Sequence, residues 1–309
     1  MNFVRKRLRD ISTESRDHIR AISDFLRNNS NIYLLCTSYN YSSPCYGLYL
    51  LVRSLDPEKN IYVEDLETFS LYIAPYNEGR EPGILIFSSK NDLYKVARSI
   101  SSLILTGHRG YLVAPEAPSE LKPFLGGSFI HIELTDDDYF LLKSLYIALS
   151  SGLSYVSEKI STPRVLRLVK EIETIDNVTK DLFEKYSVEI DLLIKIFSEK
   201  FSRIDLFYTP SARIFAEEIY SYTTKKRRDI ELSISRHDTL DRVFREDSKV
   251  ISVYTEAEQH MISDLRRRVL FEKKRSIEIM LRTDPLISSV YFGVLAKLFI
   301  EKMNRSGVS

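Results

Sequence analysis

The stretch NIYLLCTSYNYSSPCYGLYL, from Asn31 to Leu50, contains the local pattern on which the fold depends. It begins with an apolar run from Ile32 to Cys36, which predicts a buried strand. A hydroxyl-rich turn follows, and a second apolar run from Tyr46 to Val52 has helical spacing. A strand, a small polar loop and a helix N-terminus in this order present backbone N–H groups and hydroxyls to an anion. We therefore expect a ligand in the crevice at the carboxyl ends of parallel strands.

The same order of strand, polar loop and helix recurs along the chain. Gly83 to Phe87 is a continuous apolar run, typical of a strand buried on both faces, and Ser88 to Asp92 follows it as a polar loop. In the second half, Arg203 to Thr209 and Lys249 to Tyr254 have the same strand character. Strands that alternate with helices predict an α/β fold with parallel sheets and right-handed crossovers.

Three further predictions concern single elements. The basic residues 1–12 are predicted to be irregular, and Thr13 to Asn28 is predicted to be a helix because its apolar residues share one face. Glu256 to Lys273 is predicted to be one long basic helix. Asp284 and Pro285 have the residue types of an N-cap and a first helical position, and they predict the start of the last helix.

The two halves of the chain show a weak internal duplication. Ile32 to Ser38 matches Asp205 to Ser211 in pattern, and Leu85 to Asp92 matches Ile251 to Glu258. Between the halves lies a segment of successive helices without strands. We therefore predict two three-layer αβα units, at residues 13–137 and 201–303, which are joined by a helical connector at residues 138–200.

Composition excludes several classes of protein. The 309 residues are 44% hydrophobic and 28% charged with a net charge of +1, which predicts a globular protein and argues against a dedicated nucleic-acid binder. The basic clusters at residues 225–228 and 266–275 could still meet nucleic acid or an acidic partner, although solvated helix faces are the simpler interpretation. No apolar run is long enough to cross a membrane, and the N-terminal stretch lacks an apolar signal core. We expect a soluble, cytoplasmic protein.

Metal and cofactor chemistry has little support in the sequence. Cys36 and Cys45 are too few for a disulfide framework or a zinc site, and buried inert thiols are the simpler interpretation. The histidines lack the spacing of metal ligands. We expect no metal and no cofactor. The absence of Trp and the abundance of Lys, Arg and Glu resemble the composition of thermophile proteins.

Four short motifs resemble those of the SIS (sugar isomerase) domain family. Leu35 to Tyr39 is similar to the family's G-x-G-T-S-Y loop, and Glu64 to Tyr72 is similar to its E-x-x-x-E-F-x-Y segment. Ala216 to Ile219 is similar to its L-K-E-[IL] helix, and Arg236 to Asp238 to its K-H-G-P loop. The whole layout resembles the double-SIS isomerase half of glucosamine-6-phosphate synthase and the archaeal phosphoglucose/phosphomannose isomerases.

This resemblance implies a ligand class, a reaction and an assembly. The ligand would be a hexose or amino-hexose 6-phosphate, and the reaction would be aldose–ketose isomerisation through an enediol, or the related deamination. The resemblance implies Glu218 as the base that moves a proton between C1 and C2. It implies His237 as the ring opener, acting from the neighbouring subunit of a homodimer. The loop residues implied to hold the phosphosugar are Thr37, Ser38, Ser88, Ser89 and Lys90.

The sequence also departs from the family pattern. The family's phosphate loop has the pattern S-x-S-G-x-[ST]. In this chain Lys90 stands at the second serine of that pattern, Asn91 at the glycine and Leu93 at the final hydroxyl residue. The family's C-terminal segment, whose lysine takes part in the synthase reaction, is absent. No glutaminase domain precedes Met1, so we do not expect a glutamine-dependent synthase. An alternative therefore stays open: a degenerate SIS protein that binds a phosphosugar or a protein partner without catalysis.

Each candidate residue also has a purely structural interpretation. Glu218 lies beside Glu217 and would suit a solvated helix face with weak ion pairs. His237 would suit an exposed position beside an N-cap at Ser235 or Asp238. The loop hydroxyls would suit helix capping, which has the same geometry as anion binding. The stretch from Thr255 to Glu258 has the pattern of ordinary helix initiation.

Overall fold

The structure, a computed structural model, describes residues 2–77, 82–200, 202–239, 244 and 247–306. The chain divides into two compact units. Residues 10–173 form the first unit, and residues 174–309 together with residues 1–9 form the second unit. The four helices of the predicted connector are divided between them, since two lie in residues 138–173 and two in residues 174–200.

The described residues of the first unit form a five-stranded sheet in which every pairing is parallel. The strand order is β2-β1-β3-β4-β5. All five residues of β3 are buried, in agreement with its uninterrupted apolar sequence. The strands are β1 (Asn31–Cys36), β2 (Asn60–Asp65), β3 (Gly83–Phe87), β4 (Arg109–Ala114) and β5 (Phe129–Glu133).

Helices accompany this sheet in the chain, and one of them is almost entirely buried. The helices are α1 (Asn2–Glu14), within which the unit boundary falls, α2 (Arg16–Asn28), α3 (Ser43–Leu55), α4 (Leu66–Thr68, continued by a π-helical turn, Phe69–Ile73), α5 (Leu93–Leu105), α6 (Phe140–Lys159) and α7 (Pro163–Glu173). Helix α6 packs closely against α3. A Cβ on Gly47 would lie 2.8 Å from Leu145, and one on Gly152 would lie 2.7 Å from Leu48, so glycine permits this close approach.

The described residues of the second unit form a four-stranded sheet, again with parallel pairings throughout. The strands are β6 (Arg203–Tyr208), β7 (Glu231–Arg236), β8 (Lys249–Thr255) and β9 (Ser276–Leu281), in the order β7-β6-β8-β9. Its helices are α8 (Ile175–Lys185), α9 (Ser187–Ser198), α10 (Arg213–Lys226), α11 (Ser263–Phe271) and α12 (Pro285–Arg305). Asp284 caps α12 by accepting a hydrogen bond from the Leu286 N–H at 3.2 Å. The predicted α/β architecture with parallel sheets in both halves is confirmed.

Two local predictions are wrong, and one strand was not predicted. Residues 2–12 are helical rather than irregular, because Val4, Leu8 and Ile11 form a buried stripe among the basic residues. Strand β7 was not predicted, since only Ser235 of its six residues is buried. The predicted helix from Glu256 to Lys273 begins as a 3-10 segment, Glu256–Ile262, and becomes α-helical only at α11.

Candidate functional site

The predicted phosphosugar loops of the first unit lie side by side at the carboxyl edge of the sheet. Strands β1 and β3 are hydrogen-bonded neighbours, and Cys36 pairs with Phe87, so the loops that follow them are adjacent. Thr37 is 1% exposed, and its Oγ1 has no hydrogen-bond partner among the described residues. The buried Ser88 hydroxyl donates to the Ser89 carbonyl at 3.1 Å. Thr37, Ser38, Ser88 and Ser89 are therefore brought together as expected from the parallel sheet.

A lysine that sequence reasoning missed joins these two loops. The Nζ of Lys95, in the first turn of α5, donates to the Thr37 carbonyl at 2.9 Å and lies 3.4 Å from Asp92 Oδ1. Asp92 in turn accepts a hydrogen bond from the Ser89 hydroxyl at 2.7 Å. The sequence signal was the spacing of three residues between Asp92 and Lys95, which places both on one helical face. Lys90, the predicted cation, is exposed and forms an ion pair with Asp136 at 3.2 Å.

The second unit has a corresponding loop pair, and the sheet registers define the correspondence. Tyr208 pairs with Val253 as Cys36 pairs with Phe87, so Thr209 corresponds to Thr37. By the same registers, Thr255 and Glu258 correspond to Ser89 and Asp92. The sequence alignment of Leu85–Asp92 with Ile251–Glu258 agrees with these registers, whereas that of Ile32–Ser38 with Asp205–Ser211 is shifted by one residue.

A buried carboxylate occupies the second unit's loops. Glu258 accepts hydrogen bonds from the hydroxyl of Thr209 at 2.7 Å, from the hydroxyl of Ser211, and from the Ser211 N–H at 3.3 Å. It also accepts from the hydroxyl and the N–H of Thr255, at 2.7 and 3.1 Å, which completes a capping box. This arrangement shows that the hydroxyls and N–H groups of such loops can converge on an anionic group.

Glu218, the predicted base, lies inside the second unit rather than on a solvated face. It is buried on α10 and forms an ion pair with Lys297 of α12, which is buried too. Burial raises the pKa of the Glu218 carboxyl, against the opposing charge of Lys297. Its second oxygen, Oε1, has no hydrogen-bond partner among the described residues. The neighbouring Glu217 pairs with Arg213 at 3.2 Å in the same helix.

His237, the predicted ring opener, follows the edge strand β7 in a turn. Its backbone N–H donates to the Tyr208 carbonyl at 3.0 Å. Its ring is half-buried, and the ring Nδ1 has no hydrogen-bond partner among the described residues. The flanking Arg236 and Asp238 form an ion pair with each other. No hydrogen bond or ion pair in the described part of the chain joins His237 to Glu218.

Within the described ranges, no group of three His, Cys, Asp or Glu side chains could hold a metal ion. Cys36 and Cys45 are both buried, and neither forms a disulfide bond. None of the described helices combines the length and the apolar composition needed to cross a membrane.

Comparison with solved structures identifies the fold. A protein from Salmonella typhimurium LT2 that is proposed to bind sugar superposes with a TM-score of 0.73 at 12% identity, covering 98% of each chain. Tagatose-6-phosphate ketose/aldose isomerase from Escherichia coli superposes with a TM-score of 0.63 at 9% identity, covering 97% of this chain and 90% of that one.

The C-terminal domain of glucosamine-fructose-6-phosphate aminotransferase from Francisella tularensis gives 0.60 at 12% identity, covering 91% of this chain and 87% of that one. No family model matches the sequence, and no curated protein matches it. At these identities the similarity concerns the fold, and the double-SIS fold indicated by the sequence is confirmed.

Proposed function

We propose that the protein binds a sugar phosphate and that the loops after β1 and β3 of the first unit hold the phosphate. The observation that carries this proposal is the buried Thr37 hydroxyl without a hydrogen-bond partner among the described residues, beside Lys95 and the Ser88–Ser89 loop. Hydroxyl donors, a cation and the N-terminus of α5 together suit an anion. The fold neighbours that act on sugar phosphates support this ligand class.

The chemistry we propose is aldose–ketose isomerisation or the related deamination, in a homodimer. His237 opens the sugar ring from the neighbouring subunit. Glu218 then removes the proton from the hydroxyl-bearing carbon of the C1–C2 pair while the carbonyl oxygen gains a proton, which forms the enediol. It returns its proton to the former carbonyl carbon while the other hydroxyl loses its proton and becomes the new carbonyl, so there is no net oxidation. The burial that raises the pKa of Glu218 supports this role, because a general base works best with a pKa near the working pH.

A second candidate is phosphosugar binding without turnover. It is favoured by one specific observation, namely that Glu218 forms a buried ion pair with Lys297. A carboxylate held by an ammonium between two packed helices has the features of a structural ion pair, and pairs of this kind are costly to break.

Titration and an isomerase assay distinguish the two candidates. Fructose 6-phosphate, glucose 6-phosphate and glucosamine 6-phosphate would be titrated calorimetrically, and each ligand that binds would then be assayed for turnover. If the protein is an isomerase, Glu218→Gln should lower the rate at least ~100-fold and leave binding intact. Glu217→Gln, at the adjacent buried glutamate, is the matched control and should retain the rate.

Stability has to be measured for these variants as well, since removing one partner of a buried ion pair costs about 3–5 kcal/mol. If Glu218→Gln does not fold, the double variant Glu218→Gln with Lys297→Met is assayed in its place, because it removes both charges of the ion pair together. Wild-type binding without turnover would support the second candidate. Failure of all three sugar phosphates to bind would contradict the proposed function.

A further inference from the structure

We propose that Lys95 binds the anionic group of the ligand in the first unit, and that the negative charge of Asp92 beside it weakens this binding. The proposal rests on the proposed function, since it requires an anion at the loops after β1 and β3. It goes further in naming a cation outside those two loops and a carboxylate that opposes binding.

The second unit provides the geometric template for this site. There the carboxylate of Glu258 is an anion bound by the hydroxyls of Thr209 and Thr255 at 2.7 Å each. The sheet registers equate these two residues with Thr37 and Ser89 of the first unit. An anionic group of a ligand at the corresponding position would therefore lie within reach of the Thr37 and Ser89 hydroxyls.

The first unit differs from this template in the length of one side chain. Asp92 corresponds to Glu258 but is one methylene shorter, and it accepts from the Ser89 hydroxyl alone among the loop hydroxyls of the described residues. The Thr37 hydroxyl, buried at the end of β1, receives no such partner. In the second unit, the Glu258 carboxylate thus accepts from the hydroxyls of both loops. In the first unit, the Asp92 carboxylate accepts from only one of the two corresponding hydroxyls.

The first unit also has a positive charge that the second unit lacks at this place. Three residues after Asp92 stands Lys95, whereas three residues after Glu258 stands Met261. An ammonium has three N–H donors, of which one binds the Thr37 carbonyl and another faces Asp92. The third is sufficient for a ligand oxygen, so Lys95 can bind an anion while it still bridges the two loops.

Two substitutions with opposite expected effects test the proposal. Lys95→Met should weaken the binding of inorganic phosphate and of fructose 6-phosphate about 10-fold or more, because it removes a charge-assisted hydrogen bond. Asp92→Asn should tighten binding about 3-fold or more, because it removes a like charge from the anion site. Both would be measured by calorimetry at one fixed low salt concentration.

The matched control is Lys180→Met, which removes the same charge from an exposed lysine of α8 in the second unit, where it forms an ion pair with Glu184 of the same helix at 3.7 Å. It should change both affinities less than about 2-fold. Lys95→Arg retains the positive charge and shows whether charge at this position is sufficient for binding. Should Lys95→Met fail to fold, Lys95→Arg and Asp92→Asn still carry the test, since Asp92→Asn leaves the lysine in place.

The outcomes separate this proposal from the proposed function. Equal effects of Lys95→Met and Lys180→Met, or weaker binding in Asp92→Asn as well as in Lys95→Met, would overturn the role of Lys95 and leave sugar-phosphate binding intact. Lys95-dependent binding of inorganic phosphate without any binding of a sugar phosphate would overturn the proposed function alone. A wild-type protein that binds neither anion would overturn both.

Discussion

The loops at the carboxyl edges of the two sheets have the same backbone plan and different contents. In the second unit, Glu258 satisfies the donors of Thr209, Ser211 and Thr255 with one buried carboxylate. In the first unit, the shorter Asp92 leaves the Thr37 hydroxyl without a hydrogen-bond partner in the described part of the chain. The difference teaches that a few side chains decide whether the donors of such a loop pair are satisfied by the protein itself or are available to a ligand.

The largest expected effect is on stability, at the closed loop pair. Glu258→Ala removes an acceptor from buried donors of Thr209, Ser211 and Thr255 and should lower the free energy of unfolding by about 3 kcal/mol or more, since each unsatisfied buried group costs about 1–3 kcal/mol. Asp92→Ala should cost less than about 1 kcal/mol, because the Ser89 hydroxyl is half-exposed and can bind water. Urea denaturation of both variants measures the difference, and equal losses would contradict the comparison.

A smaller pair of effects is expected at the corresponding threonines. Thr209→Val breaks a hydrogen bond to a buried carboxylate and should cost about 1.5–3 kcal/mol. Thr37→Val removes a buried hydroxyl that has no partner among the described residues, so its stability should be unchanged or about 1 kcal/mol higher. Phosphate titration of Thr37→Val should nevertheless show weaker binding. A loss of stability in Thr37→Val as large as that in Thr209→Val would mean that the two hydroxyls are equally satisfied.

The smallest effect on stability is expected when the first loop is given the length of the second. Asp92→Glu should let the carboxylate accept from the backbone N–H of Ser89 as well as from its hydroxyl, as Glu258 does from Thr255, and it should gain up to about 1 kcal/mol from a new capping box. The same change should abolish phosphate binding, because the carboxylate would then occupy the anion position. Calorimetry and thermal denaturation of this variant measure both effects. Unchanged phosphate affinity would contradict the equivalence of the two positions.

The sequence was sufficient to predict parallel sheets in both halves of the chain and the position of the loops. Strand β3 is recognisable because it is buried on both faces and therefore uniformly apolar, and parallel strands place the loops after β1 and β3 at one edge. Helix α1 and strand β7 were missed because their buried residues are few and are separated by charged or exposed ones. The order of apolar and polar residues within such a segment does not show which of its faces packs against the rest of the protein.

The contents of the site depend on contacts that are distant in sequence. The stretch from Thr255 to Glu258 has the pattern of helix initiation, and this prediction is correct as far as the capping box goes. The bonds from Glu258 to Thr209 and Ser211 span 49 and 47 residues, and the ion pair of Glu218 with Lys297 spans 79. No spacing rule connects residues so far apart, so neither the closure of the second loop nor the partner of Glu218 was predictable.

The strand orders have a consequence for the way the chain is synthesised and folds. In the described sheets, β2 and β3 both pair with β1, β4 pairs with β3, and β5 pairs with β4, while β7 and β8 both pair with β6, and β9 pairs with β8. Every strand after the first of its sheet therefore emerges from the ribosome when its partner already exists. Each sheet can grow outward from its oldest strand in the order of translation. Parallel pairings are slow to form because a long crossover must close first. This order shortens the time for which any newly made strand waits with its backbone groups unpaired.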